Sequence, residues 1–478
     1  MKSQIIAIAK DEWRYWLRSK LALAVLTLGI LLTISSVVVT TVKTMELNHQ
    51  RSELQNEAEQ SFTDQPDRHP HRMVHYGHYA FRTPTPLSQL DPGVDAFTGN
   101  SIFLEGHRQN SAMFADQRQG TALTKLGSLD PAFIIQILIP LLLILIGFSS
   151  VSRERESQTL TFILSQGVSI YTVITGKLVA MLAVIGLILV PVLLSALFTV
   201  VQGESLLTAT SFIFGYFAYL VVWIIMIVLC SCIMSKNSES FSALMFAWIL
   251  FCIIVPRVAS TTAAIAVPSA GKLESDFAVI AQLRKLGDGH NANDPAFAKL
   301  KANLLAQYNV DSIEELPVNF RGTVAKKSEA ELTKVLNEFA EQRMTEELAQ
   351  SQVSRRFGWL SPVVAIRSLS MILAGTSIET HHRFLRETEA LRFEFVQALN
   401  QVHIDKLNYQ DDMNRNVDKE ASNQARVSAQ NWQVLQDFNF TADAADTRLQ
   451  YSFWAFLQLF MWIAVLLVLA IFVGRRAQ

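Results

Sequence analysis

Two short stretches carry side chains whose types and spacing could do chemistry. In RHPHRMVHYGHYAF, residues 68–81, four histidines (His69, His71, His75 and His78) fall within ten residues, and His107 closes the same segment. Imidazoles this dense could ligate a transition metal. No cysteine accompanies them, and the nearby acids show no ligand pattern. Interleaved with Tyr76, Tyr79 and Phe81, the same histidines fit packed or surface positions equally well. The sequence therefore predicts no metal site, with His69, His71, His75 and His78 as the candidates if there is one.

The second stretch is SRERESQTLTFILSQG, residues 152–167. Four alternating charges (Arg153, Glu154, Arg155 and Glu156) lead into Thr159, Leu160, Ile163 and Leu164. The spacing predicts one short amphipathic helix. Ser152 would cap it, Glu154 and Glu156 would oppose the helix dipole in the first turn, and Gly167 would end it. Leu160, Ile163 and Leu164 form a stripe for the bilayer or neighbouring spans, leaving Arg153, Arg155 and Gln158 to a partner. A solvated connector with topology-setting arginines fits the same residues.

The elements around these stretches are apolar. The chain has 478 residues, of which 50% are hydrophobic and only 17% charged. That balance is too apolar for a soluble protein of this size and too charged for one wholly in lipid. A net charge of -1 offers nucleic acid no footprint. Cys230, Cys232 and Cys252 all lie in apolar runs, as small core residues rather than disulfides or ligands. No cleavable signal peptide is evident. A span needs about 20 apolar residues, and six runs qualify: 21–42, 131–151, 178–201, 209–234, 241–265 and 452–474. Pro256 and Arg257 interrupt the fifth, whose last part is expected to leave the bilayer or run along its surface.

Basic residues set the orientation. Lys2, Lys10, Arg14, Arg18 and Lys20 precede span one, Arg153, Arg155 and Lys177 follow span two, Lys236 follows span four, and Arg475 and Arg476 end the chain. Six spans put all of these on the cytoplasmic side, with the tail at 475–478, the loop at 152–177 and both termini. Residues 43–130 and 266–451 then form a large extracytoplasmic body. Spans one to four and six hold no charge, whereas ion-coupled transporters need ionisable groups at membrane depth. Movement of a substrate would therefore be driven by another subunit. This chain has no G-x-x-x-x-G-K-[ST] phosphate loop of its own.

Within residues 1–20, Ile5, Ile6, Ala9, Trp13, Trp16 and Leu17 share one face, opposite a basic one. That pattern predicts a helix in the membrane interface, with Trp13 and Trp16 as its anchors. With this helix in place, RERESQTLTFILSQGVSIYTVITGKLVA, residues 153–180, resembles the signature of ABC-2 type transporter permeases. The matching parts are Glu154-Arg155-Glu156, Thr159-Leu160, Ile163-Leu164-Ser165 and Gly176-Lys177; Ser157-Gln158 stands where that family often has a glycine before the threonine. HYGHYAF, LDPGV, LSPVVAIRSLSMILAGTS and EALRFEFVQALN resemble the subgroup with long inserts after spans one and five.

The resemblance implies an all-α polytopic membrane protein of the bacterial inner membrane, with a mostly helical extracytoplasmic domain. It implies a non-catalytic permease subunit of an exporter. Two separate ATPase chains would bind ATP and Mg and grip residues 154–166 as a coupling helix. Glu154 and Arg155 would orient that helix, and Leu160 and Ile163 would seat it. A second copy or a similar permease would complete the path, with a periplasmic partner open. Two alternatives stand beside it: a mechanotransmission component that works its outer domain without transport, and a membrane-anchored extracytoplasmic metal-binding protein. The outer segments also predict helices over 295–308, 329–349 and 384–407, turns across Pro84 to Gly99, and a helix over 357–377 lying on the outer membrane surface or buried under the outer domain.

Overall fold

The structure, a computed structural model, describes residues 2–113, 129–287, 289–434, 437–441 and 443–476. Residues 114–128 of the first insert and the end of the tail at 477–478 lie outside the described residues. The apolar runs form helices because a chain in lipid must satisfy its own backbone. In order these are α1 (Lys2–Arg18), α2 (Lys20–Thr63), α3 (Pro70–Tyr76), α4 (131–147), α5 (Ser152–Glu156), α6 (Thr159–Ser165), α7 (Ile170–Val201), α8 (Leu206–Ile233) and α9 (Asn237–Ala266). There follow α10 (Lys272–Leu283), α11 (Ala298–Tyr308), α12 (Phe320–Arg356), α13 (Pro362–Leu373), α14 (Ile378–Lys406), α15 (Tyr409–Asn414), α16 (Lys419–Gln424) and α17 (Ala445–Arg476). Among the described residues, seven helical stretches are long and apolar enough to cross a membrane, and the chain is a helical membrane protein.

The seventh stretch, Pro362–Lys406, joins two helices. They break at Gly375, whose φ of 66° ends α13 in the left-handed region. Twelve residues of α13 rise about 18 Å, against a hydrocarbon core of about 30 Å. α13 is buried almost throughout, against α8 and α17. Polar contacts pin its end: Arg448 donates to the Leu373 carbonyl (2.8 Å) and pairs with buried Glu204.

Two helices run on where the sequence marks an interruption or an end. The fifth apolar run stays helical through Pro256. A wide π turn at Leu250–Ile254 precedes it, with Val255 N–H bonded to the Leu250 carbonyl, so the missing proline donor and the ring clash are absorbed and the helix continues to Ala266. The helix that carries the first apolar run also continues past residue 42. α2 is unbroken for 44 residues, about 66 Å, so half of it lies beyond any bilayer core. Near its base Gly29 packs on Leu142, and at its far end Phe62 is wholly buried.

Phe62 belongs to a core made by both inserts. Met73 and Val74 of α3 join it with Ile102 and Leu104 of a hairpin, and with Phe384, Phe395, Leu399 and Trp432 of the second insert. The hairpin pairs β1 (His78–Phe81) with β2 (Ser101–Leu104), antiparallel, His78 opposite Leu104; the sequence had predicted only turns and helices here. Phe62 stacks edge-on against Phe395 at 5.8 Å, and the Trp432 indole donates to the Gln65 carbonyl at 3.0 Å. The two inserts are therefore one folded body.

His78 is buried in that body. The Gln55 amide oxygen accepts from Phe81 N–H, so its nitrogen faces His78 Nε2 at 3.3 Å as donor. Burial lowers the His78 imidazole to about 4 from 6.5. As pH falls from 6.5 towards 4, the unfolded chain takes up a proton that the folded body excludes. Stability present above 6.5 is lost through that window, by about 3 kcal/mol. The thermal midpoint of detergent-solubilised protein should fall between pH 7 and pH 4.5, and His78→Gln should flatten the fall. An unchanged pH dependence in that variant would refute the assignment.

Candidate functional site

The RERE segment is built by a knot of four buried or half-buried charges. Lys177, near the start of α7, is 1% exposed; so is Glu12 of α1. The Lys177 ammonium donates to Glu12 Oε2 at 2.6 Å and to Glu154 Oε1. Arg153 donates to the same Glu12 oxygen at 3.0 Å and stacks over Tyr15, 3.5 Å from the ring centroid. Two acids answer two bases. Taking each ion from water costs several kcal/mol, and their attraction roughly offsets this; such a knot selects one arrangement more than it adds stability.

Gly176 explains the companion of Lys177. A Cβ there would lie 2.7 Å from the Ile8 side chain, so α1 seats directly on α7 only over a glycine. Ala9, Glu12 and Trp16 are the buried face of α1, and Trp13, half-buried, meets Trp16 edge-on at 5.6 Å. Ile6 and Leu17, predicted for the same apolar stripe, are exposed. Sequence reasoning passed over Glu12. Its signal was an acid three residues from Ala9 and four from Trp16, inside the apolar face.

The remaining charges are also engaged. Arg155 donates to the carbonyls of Ile233 (3.1 Å) and Met234 (3.4 Å), which end α8. Glu156 accepts from Asn237 N–H at 3.2 Å, at the start of α9. Arg153 and Arg155 are thus not the surface left for a partner; the carboxylate of α1 and the carbonyls of α8 hold them. Nor is Ser152 a cap. It lies inside α5, buried, with its hydroxyl on Asn237 Oδ1 (2.7 Å) and its N–H on Ser231 Oγ (3.0 Å).

The single helix expected over 152–166 is two. Gln158 breaks it with φ 61°, in the left-handed region that favours glycine. Thr159 then folds back, its hydroxyl donating to the Glu154 carbonyl at 3.1 Å. In α6 Leu160 is buried, Ile163 and Leu164 are half-buried, and Thr159, Thr161 and Phe162 face outward, Phe162 at 66% exposure. Gly167, φ 79°, ends the helix as expected.

The clustered histidines do not act together. His78 faces Gln55. His69 is buried: its Nδ1 accepts from His71 N–H, and its Nε2 meets Asp412 Oδ1 at 3.0 Å. Burial lowers its imidazole to about 4. His403 holds the other Asp412 oxygen at 2.8 Å, and Arg415 and Asn319 complete that carboxylate's partners. His71 and His75 turn to the opposite side, beside His107 and His290.

What fold and site define is a helical membrane protein whose RERE segment is locked to its N-terminal helix, and whose two inserts share one core. Residues 276–441, roughly a third of the chain, match a family described as Domain of unknown function (DUF3526). That stretch is most of the second insert. No curated protein matches the chain.

Lys177→Met leaves Glu12 and Glu154 without their shared cation and should cost about 3–5 kcal/mol. An Ala9→Cys reporter, buried in the parent protein, should then become open to maleimide. Gln158→Gly should hold or raise the thermal midpoint, since it relieves about 1 kcal/mol of backbone strain. A lower midpoint would place a needed contact on the Gln158 side chain.

Proposed function

We propose that this chain is the permease subunit of an ABC-2 type exporter in a bacterial cytoplasmic membrane, moving a substrate with ATP hydrolysed by a separate ATPase. The observation that carries the reading is the mounting of α5 and α6. α6 roots Leu160 inside and turns Phe162 and Thr161 outward, while α5 is bonded to α1, α7, α8 and the start of α9. A push on α6 therefore reaches four other helices through charged or hydrogen-bonded contacts. A mere connector needs no such mounting.

In this reading α2, α4, α7, α8, α9 and α17 cross the membrane, and α13 sits under the outer body as a plug too short to cross. Both termini are cytoplasmic, α1 lies in the interface, and 43–130 with 266–451 stands outside. Two ATPase chains bind ATP and Mg, and a second permease chain completes the assembly. This chain supplies docking through the exposed Thr159, Thr161 and Phe162 of α6, which Leu160, Ile163 and Leu164 seat, with Arg153, Glu154, Arg155 and Glu156 fixing the angle at which they are presented. A mechanotransmission role is the second reading, favoured by the unbroken run of α2 from the apolar region into the insert core.

Phe162→Glu changes an exposed side chain and leaves the charge knot intact. Purified in mild detergent with its chromosomal neighbours co-expressed, the parent protein should carry a stoichiometric ATPase bearing a phosphate-loop motif. Phe162→Glu should lose that ATPase at least tenfold while keeping its thermal midpoint. Equal recovery with both proteins, or no ATPase with either, would end the coupling-helix reading.

A further inference from the structure

His71 and His75 stand one turn apart on α3, i and i+4, and so share a face. Their Nε2 atoms approach to 3.2 Å. One ring can donate to the other at that distance. The same distance matches the edge of a tetrahedral nitrogen site, about 3.3 Å for metal–nitrogen bonds of about 2.0–2.1 Å. Two more rings complete the group. The His107 ring centre lies 5.5 Å from His71 and 5.2 Å from His75, and His290 lies 4.8 Å from His107 and 5.1 Å from His71. One ring nitrogen from each of the four falls within 4.8 Å of the others. Small rotations of the exposed His75 and His290 close that spread.

His107 shows the most preparation. Its φ of 64° places a residue with a side chain in the left-handed region, at a cost of about 1 kcal/mol. Glu329 holds it there, one carboxylate oxygen accepting both the backbone N–H (3.1 Å) and ring Nδ1–H (2.9 Å). Arg392 pairs with the other Glu329 oxygen at 2.5 Å, which leaves Oε2 to accept from His107. With Nδ1 donating, the lone pair of the ring is on Nε2, and that atom is buried with no hydrogen-bond partner among the described residues. A carboxylate fixing the tautomer behind a ligating imidazole is the usual outer support of a metal-bound histidine. The turn is set by Gly106, where a Cβ would strike Val74 of α3 at 2.1 Å. Gly289, backed against Ser328 of α12, brings His290 in from the second insert.

We propose that His71, His75, His107 and His290 bind one divalent late first-row transition-metal ion, of the class that prefers imidazole nitrogen, and that the ion ties the first insert to the second. Four neutral nitrogens with no thiolate or carboxylate among the ligands suit Zn2+, Cu2+, Ni2+ or Co2+ and not Mg2+ or Ca2+. The half-exposed rim gives the ion a way in. The neighbouring group of His69, His403 and Asp412 does not compete, because Arg415 already occupies the carboxylate and repels a cation. This proposal is independent of any ATPase partner.

The test uses the full chain, purified in detergent through a tag without histidine and stripped with a chelator. Zn2+ added at micromolar free concentration should bind at one ion per chain, measured by equilibrium dialysis and elemental analysis. Co2+ in its place should give the intense visible bands of a tetrahedral ion. His75→Ala combined with His290→Ala changes two exposed rings and should weaken binding at least a hundredfold, whereas His78→Gln should not. Zn2+ should also slow backbone hydrogen exchange at 289–292 in the parent protein and not in the double variant. No binding, or binding that the double variant retains, overturns the proposal.

Discussion

An ammonium group with almost no access to water has to be answered by carboxylates, and Lys177 is such a group. Its position on α7 is fixed by the helix, so the acids must come to it. Glu12 arrives from α1 and Glu154 from α5, and Arg153 balances the charge. Once those four groups are set, α1 has one rotation about its axis and α5 one register along the chain. Gly176 removes the side chain that would hold α1 away. Arg155 and Glu156 then carry the same constraint to the ends of α8 and α9. Much of the architecture around the RERE segment follows from a single buried cation.

The apolar helices were largely legible in the sequence, because twenty apolar residues in a row admit few structures. Their ends were not. Charge and polarity mark where a helix leaves lipid and say little about where it stops, so the polar half of α2 read as a separate insert. Pro256 read as a break because the sequence cannot show the π turn that absorbs it. In the RERE motif the residue types were read correctly and their directions were not. Arginines after a span look like surface charge; Arg153 and Arg155 spend theirs on a carboxylate and two helix-end carbonyls. Gln158 is the instructive departure. The left-handed turn is made there by a residue with a side chain, which bears the strain.

The histidines show the same limit at longer range. Spacing within residues 69–78 suggested one group, yet His69 caps α3, His71 and His75 share a face of it, and His78 lies on β1. His69 joins Asp412 and His403, while His71 and His75 join His107 and His290. Each group contains a residue more than 200 positions away in the chain, which no local pattern can supply. One group is closed by its own arginine. The other has a carboxylate behind a ring whose second nitrogen has no partner among the described residues. Both lie on the seam between the inserts, so the seam is sealed by polar chemistry at its rim and by Phe62, Phe395 and Trp432 within.

α2 adds a mechanical property to that seam. Gly29 is wedged against Leu142 near one end and Phe62 is sealed among aromatic rings at the other, with no proline or glycine after Gly29 to act as a joint. The helix is a lever arm of about 66 Å without slack at either end. A tilt of about 10° at its base sweeps the tip through about 11 Å. Through that geometry an angular change at the base of α2 would be multiplied along its length at the far end.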